Sequence, residues 1–422
     1  VGFDSPRIVV RRSGPLGGFV HVSGAKNSVL KLMAATLLAE GDYVFTNVPA
    51  ITDVHTMADM LGALGIRSGW LGPHELHLHN GGNVVPVVPF EKVDKIRASL
   101  NVLGPLLSHY GQARINWPGG DDFGGRPIDL HVSGLEKMGA TVEQNLYDIY
   151  AYADQLRGAE VELAIPSVGA TENLLTAAVY ARGTTVIDNA AREPEVQDLC
   201  RMLIAMGADV QGVGSSRLVV HGVPRGSLRA VRHAVVTDRV QAATYVAAVA
   251  VAGGDVQVRG ARPEHMESVI NCYARMGVSI TPQRDGLRVA CQERLRAIDF
   301  TTEPYPGIAT DYKPLLVAML SISRGTGHVV ETLFPGRFRY IEELRRLGAS
   351  IVAEGATATV RGVESLVGAH VTAPDIRAGA ALVVAGLAAE GETVVSAVHH
   401  VDRGYDDLVG RLSGLGADVT RA

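Results

Sequence analysis

The sequence predicts an α/β protein made of six copies of one unit, three to a domain, with helices packed inside sheets. Three observations predict it. An apolar helical segment that ends in a hydrophobe, a glycine and a strand recurs six times, at Gly65, Gly139, Gly207, Gly277, Gly348 and Gly416. A second series with the same ending, at Gly41, Gly111, Gly183, Gly254, Gly325 and Gly391, interleaves with the first. Both series repeat about every 70 residues, and two independent series with one period are hard to obtain by chance. The third observation is the character of the helices. One of each pair is apolar nearly all round, as in "ATYVAAVAVA" and "GAALVVAGLAAE", and such a helix belongs inside a domain. The other is amphipathic, as in "YIEELRRLG" and "EVQDLCRMLIAMG".

The elements follow in order. The opening strand "RIVVRR" precedes the first unit and is expected to pair with the last ones. That makes the second domain discontinuous: 24–236 forms the first domain, and 1–23 with 237–422 forms the second. Each helix stops at a glycine because the left-handed residue just past a helix end costs glycine nothing. The strands that follow are rich in Val, Ile and Thr, as half-buried strands are. Six units over 422 residues exceed one core, so two domains of three units are expected, with a ligand cleft between them.

Composition sets the limits. Hydrophobic residues make up 47% and charged residues 20%, which predicts a large folded core. The net charge of −5 and the lack of a long basic run argue against a nucleic-acid surface. Apolar stretches are broken by Gly, Glu or Arg, so a soluble protein without membrane contact is expected, and the cysteine usage fits a reducing cytoplasm. Cys200, Cys272 and Cys291 have no C-x-x-C spacing, which argues against a zinc site or a disulfide framework. No metal or organic cofactor is expected, and the sequence leaves the oligomeric state open.

Four constellations carry candidate chemistry. In "SGAKNSVL", Lys26 and Asn27 stand at a strand-to-helix junction, where backbone N–H groups favour an anion. An ordinary helix start with a solvated lysine is the equal alternative. The loop "WPGGDDFGGRPIDLH", 117–131, is pliable and carries Asp121, Asp122 and Arg126, a side chain suited to bidentate anion binding. By itself it also fits a polar surface turn. In "IPSVGATEN", Ser167, Val168 and Gly169 precede an apolar helix and fit either a phosphate or an N-cap. Arg97, Asp238, Arg239, Asp311, Arg337, Asp375, Arg377 and Arg403 are scattered in the chain, but most of them follow or precede helices at equivalent places in the repeat. Singly, each fits a surface ion pair.

Together these residues resemble the enolpyruvyl transferases, nearly end to end. The carriers are "GAKN", "IRASLNVLGPLL", "PGGDDFGGRPIDLH", "PSVGATEN", "NAAREPE", "TDRV", "ATD", "GRF", "DIRAGAALVVAGL" and "HVDRGY". The resemblance implies two inside-out α/β barrel domains, each of three units with helices inside and sheets outside. It implies transfer of the enolpyruvyl group of phosphoenolpyruvate to the 3-hydroxyl of UDP-N-acetylglucosamine, with release of phosphate, in peptidoglycan precursor synthesis.

By the same resemblance, Asp121 is the loop proton donor and Asp311 the acid beside the acceptor hydroxyl. Lys26, Arg97, Arg126, Arg377 and Arg403 line the phosphoenolpyruvate site, with Lys26 and Arg403 also taking part in catalysis. Asn27, Arg126, Pro127, Ile128, Asp129, Leu130, Ser167, Val168, Gly169, Asp311 and Leu333 match nucleotide-binding positions. Asp121 stands where most members carry cysteine. A carboxylate lacks the soft nucleophile that epoxide antibiotics alkylate, so fosfomycin is expected not to inactivate this protein.

The chain departs from the family around the acceptor. It has "IATDYKP" where F-P-T-D-x-Q is usual and "PGRF" where E-N/A-R-F is usual, so Ile308, Ala309, Tyr312 and Lys313 differ. These changes support a second reading, transfer to another uridine nucleotide such as UMP in nucleoside-antibiotic biosynthesis. On that reading Lys313 adds a cation where a bulky sugar is missing; a solvated lysine is the plainer account. A non-catalytic nucleotide-binding paralogue is the weakest reading, because Lys26, Arg126, Asp311 and Arg403 are all present.

Overall fold

The computed structural model describes residues 6–88, 97–117, 119 and 128–422. Asp121, Asp122, Arg126 and Pro127 lie outside the described residues. The described chain is an α/β fold with mixed sheets, and it separates into two compact units. One contains the described residues between Gly24 and Val236; the other joins residues 6–23 to Thr237–Ala422.

Six sheets repeat one plan: a guest strand lies parallel to the first strand of the unit, which then pairs antiparallel with a hairpin. In the first unit, Glu160–Glu162 lies parallel to Thr184–Asp188, which pairs with Arg217–His221 and through it with Asp209–Gln211. Arg232–Ala234 is the parallel guest of Gly41–Thr46 in the same way. Around Gln112–Asn116 the guest shrinks to one parallel bridge, Val87 to Arg114.

In the other unit, Leu16–His21 lies parallel to Gly254–Arg259. The last sheet lacks a third strand of its own. Ile8–Arg11 fills that place, antiparallel to both Glu392–Ser396 and Val419–Arg421. The opening strand therefore joins the final repeat, as the sequence predicts.

All twelve glycines of the two series have positive φ, but they are needed for different reasons. Gly207 is a left-handed C-cap whose N–H bonds back to the last turn of Pro194–Met206. Gly254 instead opens a strand. A Cβ there would stand 2.0 Å from the carbonyl oxygen of Leu16, so the parallel guest strand requires glycine. The helix-stop reading thus holds for Gly65, Gly111, Gly207 and Gly277, which are C-caps. Gly254 and Gly41 begin strands after the helix has already ended.

The apolar helices are buried all round. Every residue of Lys313–Leu320 and Ile376–Gly386 is buried, as are the first twelve of Arg239–Ala252, and these three helices touch one another. In the first unit Leu103–Tyr110 packs on Val168–Ala178, and Lys26–Ala35 packs on the short helix Arg97–Val102. The strands bury alternate residues, as in Arg217–His221, so each sheet turns one face to the core.

Among the described residues, no helix is long and apolar enough to cross a membrane.

Candidate active site

Four of the buried helices begin with a cation: Lys26, Arg239, Lys313 and Arg377 lie in the first turns of Lys26–Ala35, Arg239–Ala252, Lys313–Leu320 and Ile376–Gly386. The helix dipole disfavours a positive charge at this end. These side chains therefore do not serve their own helices. They raise the positive potential at helix starts, and nearby carboxylates offset it.

In the first unit, Lys26 Nζ lies 3.0 Å from Asp53 Oδ2, and Asp53 is buried in the first turn of Thr52–Leu64. Lys26 is thus an anchored cation, not a solvated one. One turn on, Lys31 Nζ stands 3.5 Å from Glu172 Oε1, while Asn101 Nδ2 donates to Glu172 Oε2 at 3.0 Å. Burial pushes the Glu172 carboxyl up, against the pull of Lys31 and Asn101. Asn27 beside Lys26 is half-buried.

Arg97, half-buried, opens the short helix Arg97–Val102. Its charge acts on His131, in the helix Asp129–Lys137. Burial, reinforced by Arg97 and opposed by Asp129, pushes the His131 imidazole down to about 4. The neutral ring has one consistent tautomer. Asn173 Oδ1 accepts from the Gly104 N–H at 3.0 Å, so Asn173 Nδ2 donates to His131 Nδ1 at 2.8 Å. The His131 proton then sits on Nε2. That edge faces the start of Val168–Ala178: a Cβ on Gly169 would stand 3.3 Å from Nε2.

Ser167 is the N-cap of that helix; its Oγ accepts from the Ala170 N–H at 3.3 Å. The hydroxyl therefore caps the helix, as one of the two sequence readings holds. Ile128 is buried in the core, so any ligand contact there falls to its backbone; Asp129 is exposed and Leu130 half-buried.

The other unit centres on Asp311, in the turn before Lys313–Leu320. Arg337 Nη1 donates to Asp311 Oδ1 at 2.8 Å and to Thr310 Oγ1 at 3.2 Å, and Arg377 Nε lies 3.5 Å from Asp311 Oδ2. Burial pushes the Asp311 carboxyl up, but Arg337, Arg377 and Arg239 outweigh it and hold it well below the usual carboxylate range.

Asp375 caps Ile376–Gly386 by accepting from the N–H groups of Arg377 and Ala378. Asp238 caps Arg239–Ala252 in the same way. Arg239 donates to the Tyr312 hydroxyl at 3.1 Å and lies over the rings of Tyr305 and Tyr312. Among the described residues, Arg377 Nη1 is buried and has no hydrogen-bond partner. A buried guanidinium N–H left open beside an ionised cluster is a place for an incoming anion. Arg403 is half-buried at the end of His399–Asp402. Leu333 is half-buried too, and its N–H donates to Glu331 Oε1 at 2.8 Å.

Lys313 corrects both sequence readings. It is neither solvated nor an extra cation facing the acceptor: it is fully buried, with Nζ 2.7 Å from Glu331 Oε2 and donating to the Arg337 carbonyl at 2.7 Å. Tyr312 is buried as well. Sequence reasoning missed Lys31, and it missed Asp53, Glu172 and Glu331, the buried acids paired with Lys26, Lys31 and Lys313. The one signal of these acids was a carboxylate in an otherwise apolar stretch.

The three cysteines are all buried, and burial pushes each thiol up, Cys200 to about 12. Among the described residues, no group of three or more His, Cys, Asp or Glu is placed to hold a metal ion.

Arg239, Arg337 and Arg377 around an ionised Asp311, on an α/β fold whose unit recurs six times, make a site suited to an anion. The family model for EPSP synthase (3-phosphoshikimate 1-carboxyvinyltransferase) matches residues 10–412, and the chain belongs to this family of carboxyvinyl transferases. It is 46% identical to the UDP-N-acetylglucosamine 1-carboxyvinyltransferase of Corynebacterium jeikeium, over 98% of each chain. It is 47% identical to the protein of the same name from Mycobacterium leprae, over 98% of this chain and 99% of the relative. Among solved structures, the enolpyruvyl transferase NikO from Streptomyces tendae matches with a TM-score of 0.89 at 24% identity, covering 99% of both chains. EPSP synthase from Acinetobacter baumannii matches with a TM-score of 0.76 at 16% identity, covering 99% of this chain and 100% of that one. These two likenesses are of fold.

Proposed function

We propose that this chain transfers the enolpyruvyl group of phosphoenolpyruvate to the 3-hydroxyl of UDP-N-acetylglucosamine and releases phosphate, in the cytoplasm, as a step towards peptidoglycan precursors. The observation that carries the reading is Asp311, an ionised carboxylate held between Arg337 and Arg377, with the Nη1 of Arg377 open to an anion. The identity to the two relatives carries the choice of acceptor.

The chemistry assigns a task to each group. The acceptor oxygen bonds to C2 of phosphoenolpyruvate, its proton passes to Asp311, and C3 takes a proton from Asp121. C3 then gives a proton back to the Asp121 carboxylate, the double bond re-forms, the C2–O bond to phosphate breaks, and the proton held by Asp311 leaves with the phosphate. Lys26, Arg97, Arg126, Arg377 and Arg403 stabilise the carboxylate and phosphate charges throughout. Asn27, the 127–130 segment, the Ser167–Gly169 turn and Leu333 hold the nucleotide.

Asp311 is a weak base while Arg337 and Arg377 hold it. An anion that takes up Arg377 weakens that hold, so substrate binding raises Asp311 basicity at the moment a base is needed. Each unit is read as an inside-out barrel, with the buried helices at its centre. The alternative acceptor, a smaller uridine nucleotide such as UMP, is supported by the changed stretches around Ile308, Ala309 and Tyr312, but it loses Lys313 as an added cation, because Lys313 is paired to Glu331.

Phosphate release from phosphoenolpyruvate, measured with UDP-N-acetylglucosamine and with UMP side by side, tests the proposal. Release with the sugar nucleotide is expected. Release with UMP alone, or with neither, overturns it.

A further inference from the structure

The buried pair Lys313–Glu331 touches the residues that hold Asp311 from two directions. Lys313 Nζ donates to the Arg337 carbonyl at 2.7 Å, and the guanidinium of that same Arg337 grips Asp311 and Thr310. Glu331 Oε2 accepts from the Thr310 hydroxyl at 2.7 Å, one residue before Asp311. Glu331 Oε1 accepts from the Thr302 hydroxyl at 2.8 Å and from the N–H groups of Leu333 and Phe334 at 2.8 and 3.0 Å. The Lys313 ammonium also sits 3.9 Å from the centre of the Phe338 ring. Glu331 thus ties the start of the 333–338 loop to the 310–311 turn, and Lys313 ties down the end of that loop.

Fully burying both charges is costly, and packed apolar residues would stabilise the core as well or better. Stability therefore gives no reason to keep the pair. Its contacts give one: they fix backbone on both sides of the Arg337–Asp311 bond. We propose that Lys313 and Glu331 are positioning residues, which set the orientation of Asp311 by clamping the Arg337 carbonyl and the Thr310 hydroxyl. The inference deepens the proposed function, since it rests on Asp311 taking the acceptor proton.

Four variants of the full chain test it: Lys313→Met, Glu331→Gln, Lys313→Met with Glu331→Gln, and Lys313→Gln. Lys313→Met strands a buried carboxylate, so both its Tm and its kcat fall, kcat by about 100-fold, the usual cost of a small misplacement. The KM for phosphoenolpyruvate is expected to stay within about threefold, because no substrate contact is removed. The double variant leaves no unpaired charge and recovers Tm. Its kcat stays low, because the Arg337 carbonyl still lacks a donor. Lys313→Gln, which keeps a donor for that carbonyl, recovers kcat to within about tenfold of the wild type.

Recovery of kcat together with Tm in the double variant overturns the proposal, as does an unchanged kcat in Lys313→Met. If Lys313→Met does not fold, the double variant and Lys313→Gln still decide. A second readout does not depend on the acceptor. In carbon-labelled protein, the Asp311 carboxyl should titrate closer to an ordinary aspartate in the double variant than in the wild type, as Arg337 loosens. A wild type inactive with UDP-N-acetylglucosamine, but with the Asp311 titration still moved by the variant, sinks the acceptor assignment and leaves the clamp standing. An unmoved titration sinks the clamp.

Discussion

Arg337 holds Asp311 at 2.8 Å, and Arg377 approaches the other carboxylate oxygen at 3.5 Å. Two guanidinium groups on one carboxylate keep it ionised and suppress its basicity. Asp311→Asn keeps the shape and removes the base. Its kcat is expected to fall at least about 100-fold, the low end of general-base contributions, while the nucleotide still binds. Titration calorimetry with the sugar nucleotide and steady-state phosphate release separate the two effects. An Asn variant that turns over normally removes Asp311 from the chemistry.

The same ion pairs predict acid lability. The folded pKa of Asp311 is depressed, so the folded state releases this proton more readily than the unfolded chain does. The resulting stability is fully present above the unfolded value of about 3.9 and is lost as pH falls through the lower folded value. Below about pH 4, the stability difference between wild type and Asp311→Asn should therefore shrink. Urea midpoints taken from pH 6 down to about pH 3 measure it; a difference that stays constant contradicts the linkage.

Lys26 and Asp53 make a different prediction, because one member of the pair is wholly buried. Lys26→Met leaves Asp53 without its cation and should cost about 3 kcal/mol of stability. Adding Asp53→Asn removes the stranded charge and should return most of that stability. It should not return activity, since the cation proposed to stabilise phosphoenolpyruvate is still missing. Thermal melts and turnover on the same three proteins check both halves, and restored turnover in the double variant shows Lys26 to be structural only.

His131 supplies a pH window nearer neutrality. Its folded pKa of about 4 lies below the usual 6.5, so between these values the unfolded chain binds the proton and the folded one does not. Stability therefore falls with pH across that window, by at most about 3 kcal/mol from this group. In His131→Asn that part of the slope should vanish. Denaturant melts at pH 7, 6, 5 and 4.5 measure it; parallel curves for the two proteins rule out a buried neutral His131.

The repeat was legible in the sequence because its signal is local. A glycine at a positive φ and an apolar run need no partner to be recognised, and the period located all six units. The opening strand was legible for a related reason: it preceded the first unit and had no mate nearby. The cations at helix starts were visible as residues. What each one touches was not, because Asp53, Glu172 and Glu331 come from other elements, and sequence shows a charge without its burial. Lys313 was misread for that reason. Ser167 fitted both a phosphate site and a cap, and only the bond to the Ala170 N–H told its hydroxyl's role.

The thiols lead to the last prediction. On the proposed reading fosfomycin acts through a thiolate that opens its epoxide, and Asp121 is expected at the loop position that would carry that thiol. The three cysteines the chain does carry are buried, and their pKa values are raised, so the thiolate fraction near neutral pH is small at each. A carboxylate is a poor nucleophile towards an epoxide by comparison. Turnover should therefore persist after prolonged incubation with fosfomycin and phosphoenolpyruvate or the sugar nucleotide, and intact-protein mass should not change. Asp121→Cys supplies the missing thiol at the loop, and it should gain both time-dependent inactivation and a single covalent adduct. Inactivation of the wild type with an adduct on any residue contradicts the prediction. An Asp121→Cys protein that keeps turnover yet resists the drug would mean that residue 121 does not meet the bound epoxide.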